Sequence, residues 1–119
     1  MEIKVVDKIK AADLYDFYGE LLNDHQRKIL EDYLINDLSL AEIAEDEGIS
    51  RQGVHDLIRR CTKTLEGYED KLHLLEKFKE IKEKAEKVTS LTEELLSKVP
   101  EKEELSEIKR ITSEIVDSL

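Results

Sequence analysis

SLAEIAEDEGISRQGVHDLIRRCTKT, residues 39–64, is the stretch on which the reading of this chain turns. Ser39 stands as a helix N-cap with Glu42 three residues on, the spacing at which a cap hydroxyl and a glutamate each satisfy an otherwise free amide of the other. Leu40, Ile43 and Ala44 then recur at helical spacing as far as Gly48, a residue suited to the left-handed conformation that ends helices. Ser50 caps a second helix, on which Val54, Leu57, Ile58, Cys61 and Leu65 share one side. Two helices crossing steeply around a short turn need a small residue in the first helix and a flexible one in the turn, and Ala44 and Gly48 supply them. Ile49, with Ile43, Val54 and Leu57, is the apolar set that would lock the pair. The spacing predicts a helix-turn-helix over 39–64. Two packed helices of an ordinary bundle is the plainer alternative, and Glu47 favours it by standing where such units usually carry an apolar residue.

Working outward, Asn23 with Gln26 repeats the capping signature, and Ile29, Leu30, Tyr33 and Leu34 line a helix that stops near Asn36-Asp37. Before it, Leu14, Phe17, Tyr18, Leu21 and Leu22 mark a helix over Ala11 to Leu22. Residues 1–10, with Ile3, Val5 and Val6, show no clear stripe and read as a lead-in segment or the start of the first helix. Beyond Gly67 the pattern becomes Tyr68, Leu72, Leu75, Phe78, Ile81, Ala85, Val88, Leu91, Leu95 and Val99, with coiled-coil-like steps between Lys and Glu. Pro100 fits the first turn of a last helix bearing Leu105, Ile108, Ile111, Ile115 and Leu119.

The expected architecture is therefore all-α. An N-terminal domain over 1–66 carries the helix-turn-helix, and a segment over 67–119 holds one long helix and a final one. A helix of about 28 residues runs roughly 42 Å, too long for the N-terminal bundle to cover its apolar seam. The last helix folding back as a hairpin, a second copy in a homodimer, or a different protein could each cover it.

Composition sets the outer bounds. Charged residues are 40% and aromatics 5%, with one Pro and no Trp, which favours helices with long solvated faces. The net charge of -10 argues against indiscriminate nucleic-acid binding, which needs excess Lys and Arg to neutralise phosphates. A lone cysteine, Cys61, can make no internal disulfide and reads as a small residue on the packing face. With no long apolar run, the expectation is a cytoplasmic protein without membrane insertion. The glycines are too scattered for a phosphate-cradling loop, and His25, His55, His73 and Cys61 miss metal-ligand spacing. No catalytic, metal or cofactor site is expected, and no enzyme.

What remains is local charge. Residues 51–64 hold Arg51, Arg59, Arg60 and Lys63 against Asp56 alone, +3 in a chain of -10. If this helix enters a major groove, its N-terminal Arg51, Gln52 and His55 reach base edges, and Arg59, Arg60 and Lys63 reach phosphates. Arg pairs with guanine and Gln with adenine because each presents two hydrogen-bonding atoms in one plane. Asp56 on that face repels phosphate and supports the plainer reading of a solvated surface.

The run NDHQRKILEDYLINDLSLAEIAEDEGISRQGVHDLI, residues 23–58, resembles region 4 of sigma factors, in which a helix-turn-helix reads promoter DNA. With DLYDFYGELL upstream and YEDKLHLLEKF downstream, the chain over about 13–79 resembles the YlxM-type proteins linked with the signal recognition particle. That resemblance implies an all-helical protein with a sigma-region-4-like unit, a long C-terminal helix and an accessory role in protein targeting. It carries over Ser50, Arg51, Gln52 and Arg59 as contact residues, while Glu47, Gly53 and His55 depart from the pattern. The partners it implies are DNA or signal recognition particle RNA, and particle proteins. A promoter-binding regulator using the same face, and a protein-interaction module using the Leu72–Val99 seam, are the other functions open to this sequence.

Overall fold

The structure, a computed structural model, describes residues 6–119, so Ile3 and Val5 of the lead-in segment lie outside the described residues. Helices α1 (Lys8–Tyr18), α2 (Asp24–Leu34), α3 (Leu40–Glu47), α4 (Arg51–Leu72), α5 (Leu74–Lys98) and α6 (Glu103–Ser118) follow one another, with a 3-10 turn over Gly19–Leu21. The fold is all-α, with no strand among the described residues. Contacts divide it into two compact units, one up to Leu75 and the other Glu76–Leu119.

In the first unit the capping residues act as their spacing indicates. Asn23 and Gln26 close a capping box on α2, as do Ser39 and Glu42 on α3. Helix α1 begins earlier than its apolar stripe implies, because the Asp7 carboxylate accepts from the amides of Ile9 and Lys10. It ends earlier too. Gly19 lies so close to the Tyr15 ring that a Cβ there would sit 2.9 Å from ring carbons, and the chain tightens into the 3-10 turn. Leu14, Tyr18, Ile29, Leu30, Tyr33, Ile43, Val54, Ile58, Cys61 and Leu65 are buried in one shared core. Burying each large aliphatic side chain contributes about 1.5–3 kcal/mol. Leu21, counted on the first helix stripe, is instead exposed beyond the helix end.

Gly67 does not end a helix. Helix α4 runs 22 residues, through Gly67 to Leu72, since one interior glycine costs only about 1 kcal/mol and Leu65 and Tyr68 on either side pack against the core. The break comes at His73, which takes the left-handed conformation at φ 54. There the Tyr18 hydroxyl donates to Glu69 Oε1 at 2.5 Å and accepts from the Leu74 amide at 3.3 Å. The Leu75 amide donates to the same Glu69 oxygen at 2.9 Å. A division at residue 66/67 thus falls inside a helix, and Tyr68, placed on the seam by its spacing, packs instead at a tilt against Tyr18 with ring centroids 6.0 Å apart.

The second unit is an antiparallel hairpin. Glu93 of α5 pairs with Lys109 of α6 at 3.4 Å, and Ala85, Thr92 and Thr112 are its buried residues. The two threonine hydroxyls bond their own helices, to the carbonyls of Val88 and Ile108, each at 2.7 Å, which leaves their methyl groups for the seam. Of the three ways to cover the α5 seam, folding back is the one seen, though Val88, Leu91 and Leu95 keep much of their surface in solvent. Pro100 sits in the connecting turn rather than in the first helical turn, and Lys102 precedes α6.

Candidate nucleic-acid interface

Helices α3 and α4 meet through the turn Gly48-Ile49-Ser50. Gly48 is left-handed at φ 67, its amide and that of Ile49 both return to the Ala44 carbonyl, and Ser50 Oγ accepts from the Gly53 amide at 3.0 Å. Only a residue without Cβ takes that φ at little cost, so Gly48 fixes the angle at which α4 departs. Ile43, Val54 and Ile58 are fully buried between the helices, Leu57 is half-buried, and Ile49 is partly exposed in the turn.

Glu47 has a specific role at the position where an apolar residue was expected. Its carboxylate lies 2.9 Å from His25 Nε2 and 3.3 Å from Lys28 Nζ, tying the end of α3 to α2. These partners, His25 foremost, hold the Glu47 carboxyl below the usual carboxylate range. An ion-pair clasp replaces an apolar contact.

The outward side of α4 carries Gln52, Asp56, Arg59, Arg60 and Lys63, all exposed. Asp56, Arg59, Arg60 and Lys63 converge around one shallow depression, three cations with a carboxylate at the rim. Gln52 Nε2 donates to Asp56 Oδ1 at 3.0 Å. Arg51 is exposed in the first turn of α4, to one side of that cluster. Two of the residues singled out in the sequence are differently placed. Ser50 uses its hydroxyl oxygen as the cap, and His55 is half-buried, with Nδ1 enclosed, 3.6 Å from Asp56 Oδ1 and without a hydrogen-bond partner. Asp56 belongs to the face more fully than either, and its i, i+4 spacing from Gln52 was the sequence signal for it.

Other chemistry is sparse. Cys61 is enclosed in the core, and burial pushes its thiol up, away from the reactive thiolate. Among the described residues no helix is long and apolar enough to cross a membrane, and no group of three or more His, Cys, Asp or Glu is placed to hold a metal ion.

A capped pair of helices around a left-handed glycine, presenting the outer side of the second helix, defines a helix-turn-helix protein. The chain belongs to the UPF0122 family, whose description reads "Putative helix-turn-helix protein, YlxM / p13 like" and whose pattern matches residues 5–113. It is 55% identical over 75 residues to a UPF0122 protein of Caldanaerobacter subterraneus subsp. tengcongensis, covering 63% of this chain and 64% of that relative's length. To a UPF0122 protein of Thermoanaerobacter sp. (strain X514) it is 45% identical over 102 residues, 86% of this chain and 87% of the relative. To one of Lactococcus lactis subsp. lactis it is 40% identical over 110 residues, 90% and 97% of the two chains.

Proposed function

We propose that this protein binds nucleic acid through the outer side of α4, as a cytoplasmic accessory factor of the signal recognition particle pathway rather than as an enzyme. The observation that carries the binding reading is the convergence of Arg59, Arg60 and Lys63 on one depression of a helix-turn-helix, within residues 51–64 that carry +3 in a chain of -10. Arg59, Arg60 and Lys63 serve as phosphate contacts and Arg51 and Gln52 as base readers, with Ser50 and His55 supporting the helix start. The pathway comes from the resemblance to YlxM-type proteins, which also makes particle RNA the first ligand to try and particle proteins the first partners. The protein acts as a homodimer in this reading.

Fluorescence anisotropy with particle RNA, duplex DNA and unrelated RNA over a salt series tests it. Three phosphate contacts give a log–log salt slope of about −2.7 on duplex DNA and about −2.1 on single strands. Arg59→Glu with Arg60→Glu is expected to abolish binding with helicity unchanged. Binding to none of the three ligands, or unchanged affinity in the double variant, would overturn the reading. A preference for one duplex sequence over particle RNA would instead favour a promoter-binding regulator, for which the same exposed Arg51 and Gln52 are the supporting observation.

A further inference from the structure

The hairpin of the second unit has two unlike faces. At 100° per residue, Glu86, Thr89 and Ser90 of α5 and Ser113, Val116 and Asp117 of α6 fall on one side of the Thr92–Thr112 seam, and they line one shared groove. Because the helices are antiparallel, the opposite rotation brings Val88, Leu91 and Leu95 of α5 to the same side as Ile108, Ile111 and Ile115 of α6. These six side chains remain 43–52% exposed in the whole chain. Each leaves about 80 Å² in solvent, about 500 Å² per copy, as large as the biggest apolar patch on a typical monomer. Two such faces meeting would bury about 1,000 Å², the size at which specific interfaces begin.

We propose that this face is covered by the same face of a second copy of the chain, the two hairpins forming a four-helix bundle. The charges beside the face choose the arrangement. Along its α5 edge stand Lys84, Lys87 and Lys98 with Glu80 and Glu94, and along its α6 edge Glu104, Glu107 and Glu114 with Arg110, all exposed; Lys98 pairs with Glu94 and Arg110 with Glu107 and Glu114, which leaves a net basic α5 edge and a net acidic α6 edge. A two-fold axis parallel to the helices lays α5 of one copy over α6 of the other, so that the basic edge meets the acidic one. An axis across the helices would lay α5 on α5 and oppose lysine to lysine, which costs stability. The Glu93–Lys109 pairing fixes the level of α6 against α5, and the parallel axis preserves it. Leu91 then faces Ile111 of the second copy, and Lys98 stands level with Glu104 of the second copy. Both α5 helices start at the same end of the bundle. The proposal gives the homodimer of the preceding reading its interface and stands apart from nucleic-acid binding, since no residue of α4 takes part.

Sedimentation equilibrium of the full chain tests it, with a particle of twice 13.8 kDa expected at micromolar concentration. Leu91→Lys with Ile111→Lys is expected to raise the dissociation constant by about a hundredfold or more, as central apolar anchors do. Circular dichroism should show unchanged helicity, because both side chains lie outside the intramolecular seam. The milder Leu91→Gln with Ile111→Gln, expected to weaken the dimer at full helicity, keeps the test decisive if the lysine variant unfolds. A monomeric wild-type chain, or a folded variant that still dimerises, would overturn the interface. For the axis, a mixture of Leu91→Cys and Ile111→Cys chains should join into a heterotypic pair with a short thiol crosslinker. Efficient joining of Leu91→Cys chains to one another, with none to Ile111→Cys chains, would overturn that arrangement.

Discussion

Replacing Tyr18 by Phe removes one oxygen atom and, with it, two hydrogen bonds that hold the junction between α4 and α5. The Tyr18 side chain is 1% exposed, and its ring packs against Phe17 and Tyr68, contacts that a phenylalanine keeps. Burial first, and then the bond to Glu69, push its phenol above the ordinary value, so the hydroxyl stays protonated and can donate. What is lost is the 2.5 Å bond to the Glu69 carboxylate and the acceptor for the Leu74 amide. A hydrogen bond to a charged group contributes about 1.5–3 kcal/mol, and a part-buried amide left unpaired adds to the loss. Leu75 still donates to Glu69, which limits the damage. The expected destabilisation is therefore about 2–3 kcal/mol. Urea unfolding followed by circular dichroism measures it, and hydrogen exchange at Leu74 and Leu75 should quicken beyond the global effect. A loss below about 0.5 kcal/mol, an ordinary surface value, with exchange unchanged at those amides would refute the clasp.

Three further outcomes follow from local geometry. Glu47, held below the usual carboxylate range by His25 and Lys28, contributes stability that is present above its unfolded pKa and lost as pH falls through its folded one. The urea midpoint should drop through the acid range, and Glu47→Gln should flatten that dependence while lowering stability near neutrality. Gly48→Ala forces a Cβ into φ 67 and should cost about 1–2 kcal/mol, read as a lower urea midpoint, although nothing lies within 4 Å of the new atom. His73→Gly relieves the same strain at φ 54 and should raise stability by up to about 1 kcal/mol, read as a higher urea midpoint and partly offset by the greater freedom of the unfolded chain.

Much of the first unit was legible because its signals are local. Asn23 with Gln26, Ser39 with Glu42, and Gly48 each state a backbone hydrogen-bond arrangement within four residues, and each is found where its spacing put it. The end of α4 was not legible, because two tyrosines far apart in sequence decide it. Tyr68 packs on Tyr18, whose hydroxyl then clasps the chain at Leu74, and no window around Gly67 contains that contact. Pro100 shows the limit of a positional preference, since proline suits a turn as well as a first helical turn and the hairpin needs a turn there. On the outer side of α4 the charges were plain in the sequence. The inward position of the His55 ring was not, because it depends on rotamer and packing rather than on spacing.

The Gln52–Asp56 hydrogen bond has an energetic meaning for whatever meets this helix. A free glutamine loses up to about 2 kcal/mol of rotamer freedom when it is fixed on a partner. Gln52 has given up part of that freedom on folding, and its amide nitrogen is already turned to Asp56. Its carbonyl oxygen takes no part in that bond. The start of α4 is thus a partly ordered corner beside a cationic slope, where the glutamine must release Asp56 before its amide nitrogen can donate to a base.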